Sequence, residues 1–106
     1  MNRPLVRAIG GFALLVAVGD PRAARVAGTD LGRDVAATCA NCHGTDGRSR
    51  GGVPSLAGKD KGELIRQVRD FRDGKRPSTV MQQLAKGYAD TEIEAAAAYF
   101  AAQPSR

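Results

Sequence analysis

Tryptophan is absent from this 106-residue chain, and histidine, cysteine and methionine number one, two and two. The aromatic residues are Phe12, Phe71, Tyr88, Tyr99 and Phe100. A chain of this length has room for one domain. A core so poor in large rings is marginal at this size and calls for a staple. The longest apolar run, Ala8 to Val18, is eleven residues long and too short to cross a bilayer, so no integral membrane segment is expected in the domain itself. No segment alternates as a half-buried strand does, and no βαβ pattern is present. No interleaving of aromatic and basic residues marks a nucleic-acid surface. A structural zinc site wants four ligands, and the Cys/His set here stops at three, crowded together.

The N-terminus reads as a secretory signal peptide. Arg3 and Arg7 precede the apolar run, and Ala17-Val18-Gly19 or Val26-Ala27-Gly28 offers small residues for cleavage. An uncleaved amphipathic helix is the alternative. On the leader reading, residues 1–28 are removed, with cleavage after about 19–28, and residues 29–106 form an exported, periplasmic domain. Loss of the leader takes away four arginines and one aspartate. The full chain's charge of +5 then becomes +2, from 12 bases and 10 acids. The pI of 9.8 is partly the leader's and is no nucleic-acid signature.

Cys39-Ala40-Asn41-Cys42-His43 carries the chemistry. Two cysteines three apart with histidine next is the attachment signature of a c-type haem. Each thiol adds across one vinyl group, and His43 then falls under the iron as proximal ligand. A thiol–disulfide oxidoreductase would need a βαβ context, and a plain disulfide leaves His43 unexplained. The second axial ligand must come from elsewhere. There is no other histidine, and Met1 leaves with the leader, which singles out Met81; Lys86 and Tyr88 are the rivals. The free ring nitrogen of His43 is expected to donate to a backbone carbonyl of the Val53-Pro54-Ser55-Leu56 loop, with Leu56 packed on the haem. Covalent haem would also be the staple that the sparse core requires.

The periodicity predicts an all-α fold. A first helix runs from about Asp30, as cap, to Cys42, with Leu31, Val35 and Thr38 or Cys39 on one face. Glycines from Gly44 to Gly58 make a loop. A second helix fits Lys61 to Asp73, with Asp60 and Glu63 as a capping box and Leu64, Val68 and Phe71 as its apolar stripe. Gly74 ends it, and a loop over residues 75–81 ends at Met81. A short turn covers Gln82 to Lys86. A last helix opens on a Thr91/Glu94 capping box and turns Ile93, Ala97 and Phe100 to one side.

These pieces resemble the class I cytochromes c over about residues 30–104. The likeness rests on Cys39-Ala40-Asn41-Cys42-His43-Gly44, Pro54-Ser55-Leu56-Ala57-Gly58, Met81 and the final Ala-Ala-Tyr-Phe-Ala helix. It implies a small fold of helices wrapped around one covalently bound haem. It also implies that the first and last helices cross, glycine against aromatic, for which Gly32 with Tyr99 or Phe100 is available. Pro77-Ser78-Thr79-Val80-Met81 and Leu84-Ala85-Lys86-Gly87-Tyr88 are similar to the cytochrome subunits of flavocytochrome c sulfide dehydrogenases, here of the monohaem kind. That resemblance implies an electron carrier, itself no enzyme, fed by an FAD-containing flavoprotein subunit. The alternative is a free shuttle to an oxidase, reductase or photosynthetic centre, with Lys75 and Arg76 in a charged docking ring. A ligand-binding or peroxidatic haem protein would require Met81 to stay off the iron.

Overall fold

Asp20 and Pro21 set the start of the first helix. The Asp20 carboxylate accepts from the Arg22 N–H at 2.9 Å, and Pro21 takes a position where its missing N–H is no loss. The computed structural model describes residues 10, 11, 13–17 and 19–105, and their side chains except those of 23–29. Arg3, Arg7 and residues 8, 9, 12 and 18 of the apolar run lie outside the described residues.

Helix α1 spans Pro21–His43. It begins well before the expected Asp30 cap because Asp20 does the capping. Asp30 lies inside it, 3.6 Å from Arg33 one turn on. A 3₁₀ turn at Thr45–Gly47 follows, then α2 (Lys61–Arg72), α3 (Met81–Ala85) and α4 (Asp90–Ala101). No strand occurs among the described residues.

The Asp60 carboxylate caps α2 through the Glu63 N–H at 2.9 Å. The Glu63 side chain turns instead to Gln67, 3.0 Å away, so only half the capping box forms. The Thr91/Glu94 box does not form at all. Helix α4 starts two residues earlier, with Ala89 in place of Thr91 at the cap position and no side-chain cap. Asp90 supplies negative charge to its first turn and accepts from Arg72 at 2.8 Å, while Glu94 pairs with Arg69 at 3.2 Å. Arg69 and Arg72 thus tie α2 to α4 on the exposed side, a modest contribution.

Helices α1 and α4 cross in direct contact. A β-carbon on Gly32 would stand 2.6 Å from the Ala95 carbonyl oxygen and 3.5 Å from Tyr99 Cβ. The glycine–aromatic crossing is therefore present, with the α4 backbone itself as the main neighbour. Ala36, one turn on, is buried at 2 % exposure. Leu31, expected on one face with Val35, is 41 % exposed, while Val35 is half-buried.

Among the described residues the buried apolar ones are Ala36, Ala57, Leu64, Ala85, Ile93, Ala96, Ala97 and Phe100. Most are alanines, which bring backbones close and fill little volume. The helices consequently leave an open cavity beside a small core cluster of Ala36, Leu64, Ala96, Ala97 and Phe100.

Candidate functional site

The cavity has a volume of about 510 Å³, within the range of ligand sites. Val35, Leu64, Val68, Phe71, Ile93 and Phe100 give it apolar walls. The structure brings all six residues singled out from the sequence to its lining: Cys39, Cys42, His43, Pro54, Leu56 and Met81.

Cys39 and Cys42 lie three apart on the last turns of α1, and hence on one helix face. Both are free thiols. Cys39 is half-buried, and burial pushes its thiol above the ordinary range. Cys42 is exposed at the rim. Among the described residues no three His, Cys, Asp or Glu side chains converge to hold a metal ion.

His43 is the last residue of α1. Gly44 then turns the chain at φ +83° and donates its N–H to the Ala40 carbonyl. A β-carbon on Gly44 would meet the Arg48 backbone, so the turn requires glycine. The loop returns beside His43 because Leu56 N–H and Ala57 N–H both donate to the Gly47 carbonyl, at 2.7 and 3.2 Å. Ser49 N–H adds a bond to Ser55 Oγ. This arrangement brings the Pro54 carbonyl within 2.7 Å of His43 Nδ1. A carbonyl can only accept, so Nδ1 carries the proton and the Nε2 lone pair is left for a metal.

Met81 is the first residue of α3, not the end of the preceding loop. Gln82 N–H donates to Ser78 Oγ at 3.0 Å, so the serine caps this turn from outside and starts the helix early. Met81 is half-buried, and Val80 and Leu84 beside it are 53 % and 50 % exposed. The rival ligands are differently disposed. Lys86 is exposed and absent from the cavity lining. Tyr88 lines the cavity, but its hydroxyl lies 2.6 Å from Thr38 Oγ1.

Small wall residues such as Ala85 escaped notice in the sequence, since an alanine inside a helix looks alike whether buried or exposed. Lys59 and Arg76 also reach the lining; no periodicity points to bases that border an apolar cavity. The donor set and the walls fit a haem: two thiols at one edge, an imidazole with its outer nitrogen engaged, a thioether, and apolar surface between them.

The family of cytochrome c oxidase, cbb3-type, subunit III matches residues 27–100. The cytochrome subunit of sulfide dehydrogenase from Chlorobaculum tepidum is 41 % identical over 98 residues, which cover 92 % of this chain and 88 % of that protein. Cytochrome c4 of Pseudomonas aeruginosa is 38 % identical over 97 % of this chain and 49 % of its own length. The structure of Acidithiobacillus ferrooxidans cytochrome c4 aligns with a TM-score of 0.66 at 33 % identity, over 71 % of this chain and 49 % of the other. The chain thus spans about half the length of these cytochromes c4.

Proposed function

The chain belongs to the class I c-type cytochromes, and from that footing we propose that it is a periplasmic single-haem electron carrier with His43 and Met81 as axial ligands. We further propose that it serves as the electron-accepting subunit of a flavoprotein sulfide dehydrogenase. Residues 1–28 act as its export leader and residues 29–106 as the cytochrome domain.

Haem c is the covalent cofactor of this family. Cys39 and Cys42 would hold it by thioethers. When bound, it supplies a one-electron couple between ferric and ferrous iron. The chain's own residues do the rest. Pro54 fixes the tautomer and plane of His43 through its carbonyl. Met81 offers a soft, neutral donor that favours the ferrous state and raises the potential. Val35, Leu64, Val68, Phe71 and Phe100 keep water out. With both axial positions filled by protein, no position is left for a substrate, and the chain carries electrons without making or breaking bonds.

The observation behind this proposal is the shared wall: both thiols, the Pro54-bound imidazole and Met81 line one apolar cavity, while Lys86 stays off it. Absorption spectra of the oxidised and reduced protein, with a haem-stained denaturing gel, test it. Covalent haem, a low-spin reduced spectrum and a Met–iron charge-transfer band in the ferric state are expected. Covalent haem with a high-spin spectrum would instead mean an open iron and ligand-binding or peroxidatic chemistry.

Two observations support a lasting flavoprotein partner. The relative from Chlorobaculum tepidum is a sulfide dehydrogenase subunit over nearly all of its length. Val80 and Leu84 leave apolar surface exposed beside Met81, as a permanent interface requires. The second reading, a free shuttle, draws on exposed Lys75 and Arg76, neither ion-paired among the described residues; Arg76 instead lies over the Phe71 ring at 5.1 Å. Co-purification with a flavoprotein separates the two. A monomer with strongly salt-dependent oxidation would point to the shuttle.

A further inference from the structure

The hydrogen bond between Tyr88 and Thr38 joins two parts of the cavity wall that the backbone leaves apart. Thr38 sits on α1, one residue before Cys39. Tyr88 follows α3, the helix that starts at Met81. Thr38 has a single hydroxyl proton, and it goes to the Val35 carbonyl at 2.7 Å. The oxygen is then left to accept, so Tyr88 donates across the 2.6 Å gap. Both residues line the cavity.

Residues 80–88 behave as one hydrogen-bonded unit. Gln83 and Leu84 N–H donate to the Val80 carbonyl, Gly87 N–H to Leu84 and Tyr88 N–H to Ala85. Ala85, at 1 % exposure, anchors its middle. Ser78 holds the front of this unit through Gln82, and the Tyr88–Thr38 bond holds its rear. Val80 and Leu84 are half-exposed on the cavity rim, and α3 also packs against α2. The segment bearing Met81 thus has a short inner anchor, a serine cap at one end and a tyrosine peg at the other.

We propose that Tyr88 and Thr38 are positioning residues for Met81: their hydrogen bond pegs the α3 segment to the cysteine-bearing helix and so keeps the thioether at the iron. This rests on Met81 being the axial ligand. The same bond commits the tyrosine oxygen to Thr38, which removes the most conspicuous rival donor in the cavity.

The test is imidazole binding to the ferric holoprotein at pH 7, since imidazole enters only when Met81 leaves. Tyr88→Phe and Thr38→Val each preserve shape and remove one partner of the bond. Each is expected to speed imidazole binding about three- to tenfold, the range of one neutral hydrogen bond. The double variant is expected to bind no faster than either single one, because both remove the same contact. Tyr99→Phe, which breaks a tyrosine hydrogen bond to Asp46 elsewhere, is expected to leave the imidazole rate unchanged. Rates within twofold of the parent in both single variants, or effects that multiply in the double variant, would overturn the peg. If Tyr88→Phe fails to mature, Thr38→Val alone decides by the same twofold limit. A parent protein without a Met–iron band, binding imidazole at once, would remove the ligand assignment itself and the peg with it.

Discussion

Gly32 on α1 lies directly against Ala95 on α4, where an added β-carbon would stand 2.6 Å from the carbonyl oxygen. The obstacle is helix backbone, which cannot swing aside as a flexible side chain can. Gly32→Ala must therefore push the two helices apart or bend one of them. Although alanine is the better helix former, a net loss of about 1–3 kcal/mol is expected, the usual range for overpacking. Guanidinium denaturation of the haem-loaded protein measures it. An unchanged midpoint would show that the crossing relaxes freely.

Replacing Met81 by alanine is expected to abolish the Met–iron charge-transfer band and to lower the reduction potential, since the soft donor that favours ferrous iron is gone. Potentiometric titration followed by absorbance reads both. An unaltered spectrum would mean that the sixth position is filled by another group.

Tyr99 provides a pH test. Its hydroxyl donates to the Asp46 carboxylate at 2.6 Å. That bond, with burial and the Asp46 charge adding to it, raises the phenol above its ordinary range, against smaller opposing effects of Arg33 and Arg48. A raised value in the folded state means stabilisation that is complete below the unfolded value of about 10 and lost as pH rises through the folded one. The parent's unfolding free energy is expected to fall more steeply above pH 10 than that of Tyr99→Phe. At pH 7 the variant is expected to be less stable by about 1 kcal/mol, a hydrogen bond to a charged group discounted for solvent screening. Parallel pH profiles for the two proteins would show that the bond is not populated in solution.

Without haem the chain is expected to be largely unfolded. Its buried residues are mostly alanines around a cavity of about 510 Å³, and too little apolar surface meets across that space to offset the conformational entropy of folding. Replacing Cys39 and Cys42 with serine, to block attachment, is expected to remove most of the far-UV helical signal. A native-like spectrum from that variant would show that the wall of helices stands by itself.

Much of the site was legible in the residues themselves. Cysteines three apart on a helix share a face whatever surrounds them, and His43 follows them by covalent necessity. Scarcity did the rest, since one histidine and two methionines leave few donors to choose from. The stripes Leu64-Val68-Phe71 and Ile93-Ala97-Phe100 also sit where their periodicity put them, with Leu64, Ile93, Ala97 and Phe100 buried and Val68 and Phe71 on the cavity wall. Capping was read less well. In the full chain α1 begins behind Asp20, a residue of the proposed leader, and the Thr91/Glu94 pair gave way to a helix beginning at Asp90. Several residues near each helix start are chemically able to cap, and tertiary partners such as Arg69 and Arg72 choose among them.

The sequence by itself determined the local chemistry: which groups can bind haem, which segments are helical, and where glycine must interrupt them. These follow from covalent spacing and short-range periodicity, and neither depends on how the helices pack. Only the tertiary structure decided which carbonyl meets His43 Nδ1, which oxygen holds Tyr88, and that Leu31 faces water while Ala36 is buried. The first follows from loop closure on the Gly47 carbonyl, and the last from the short distance between helices α1 and α4 at the Gly32–Ala95 contact. That distance is set by the sum of small side chains along the seam, a sum no single residue displays.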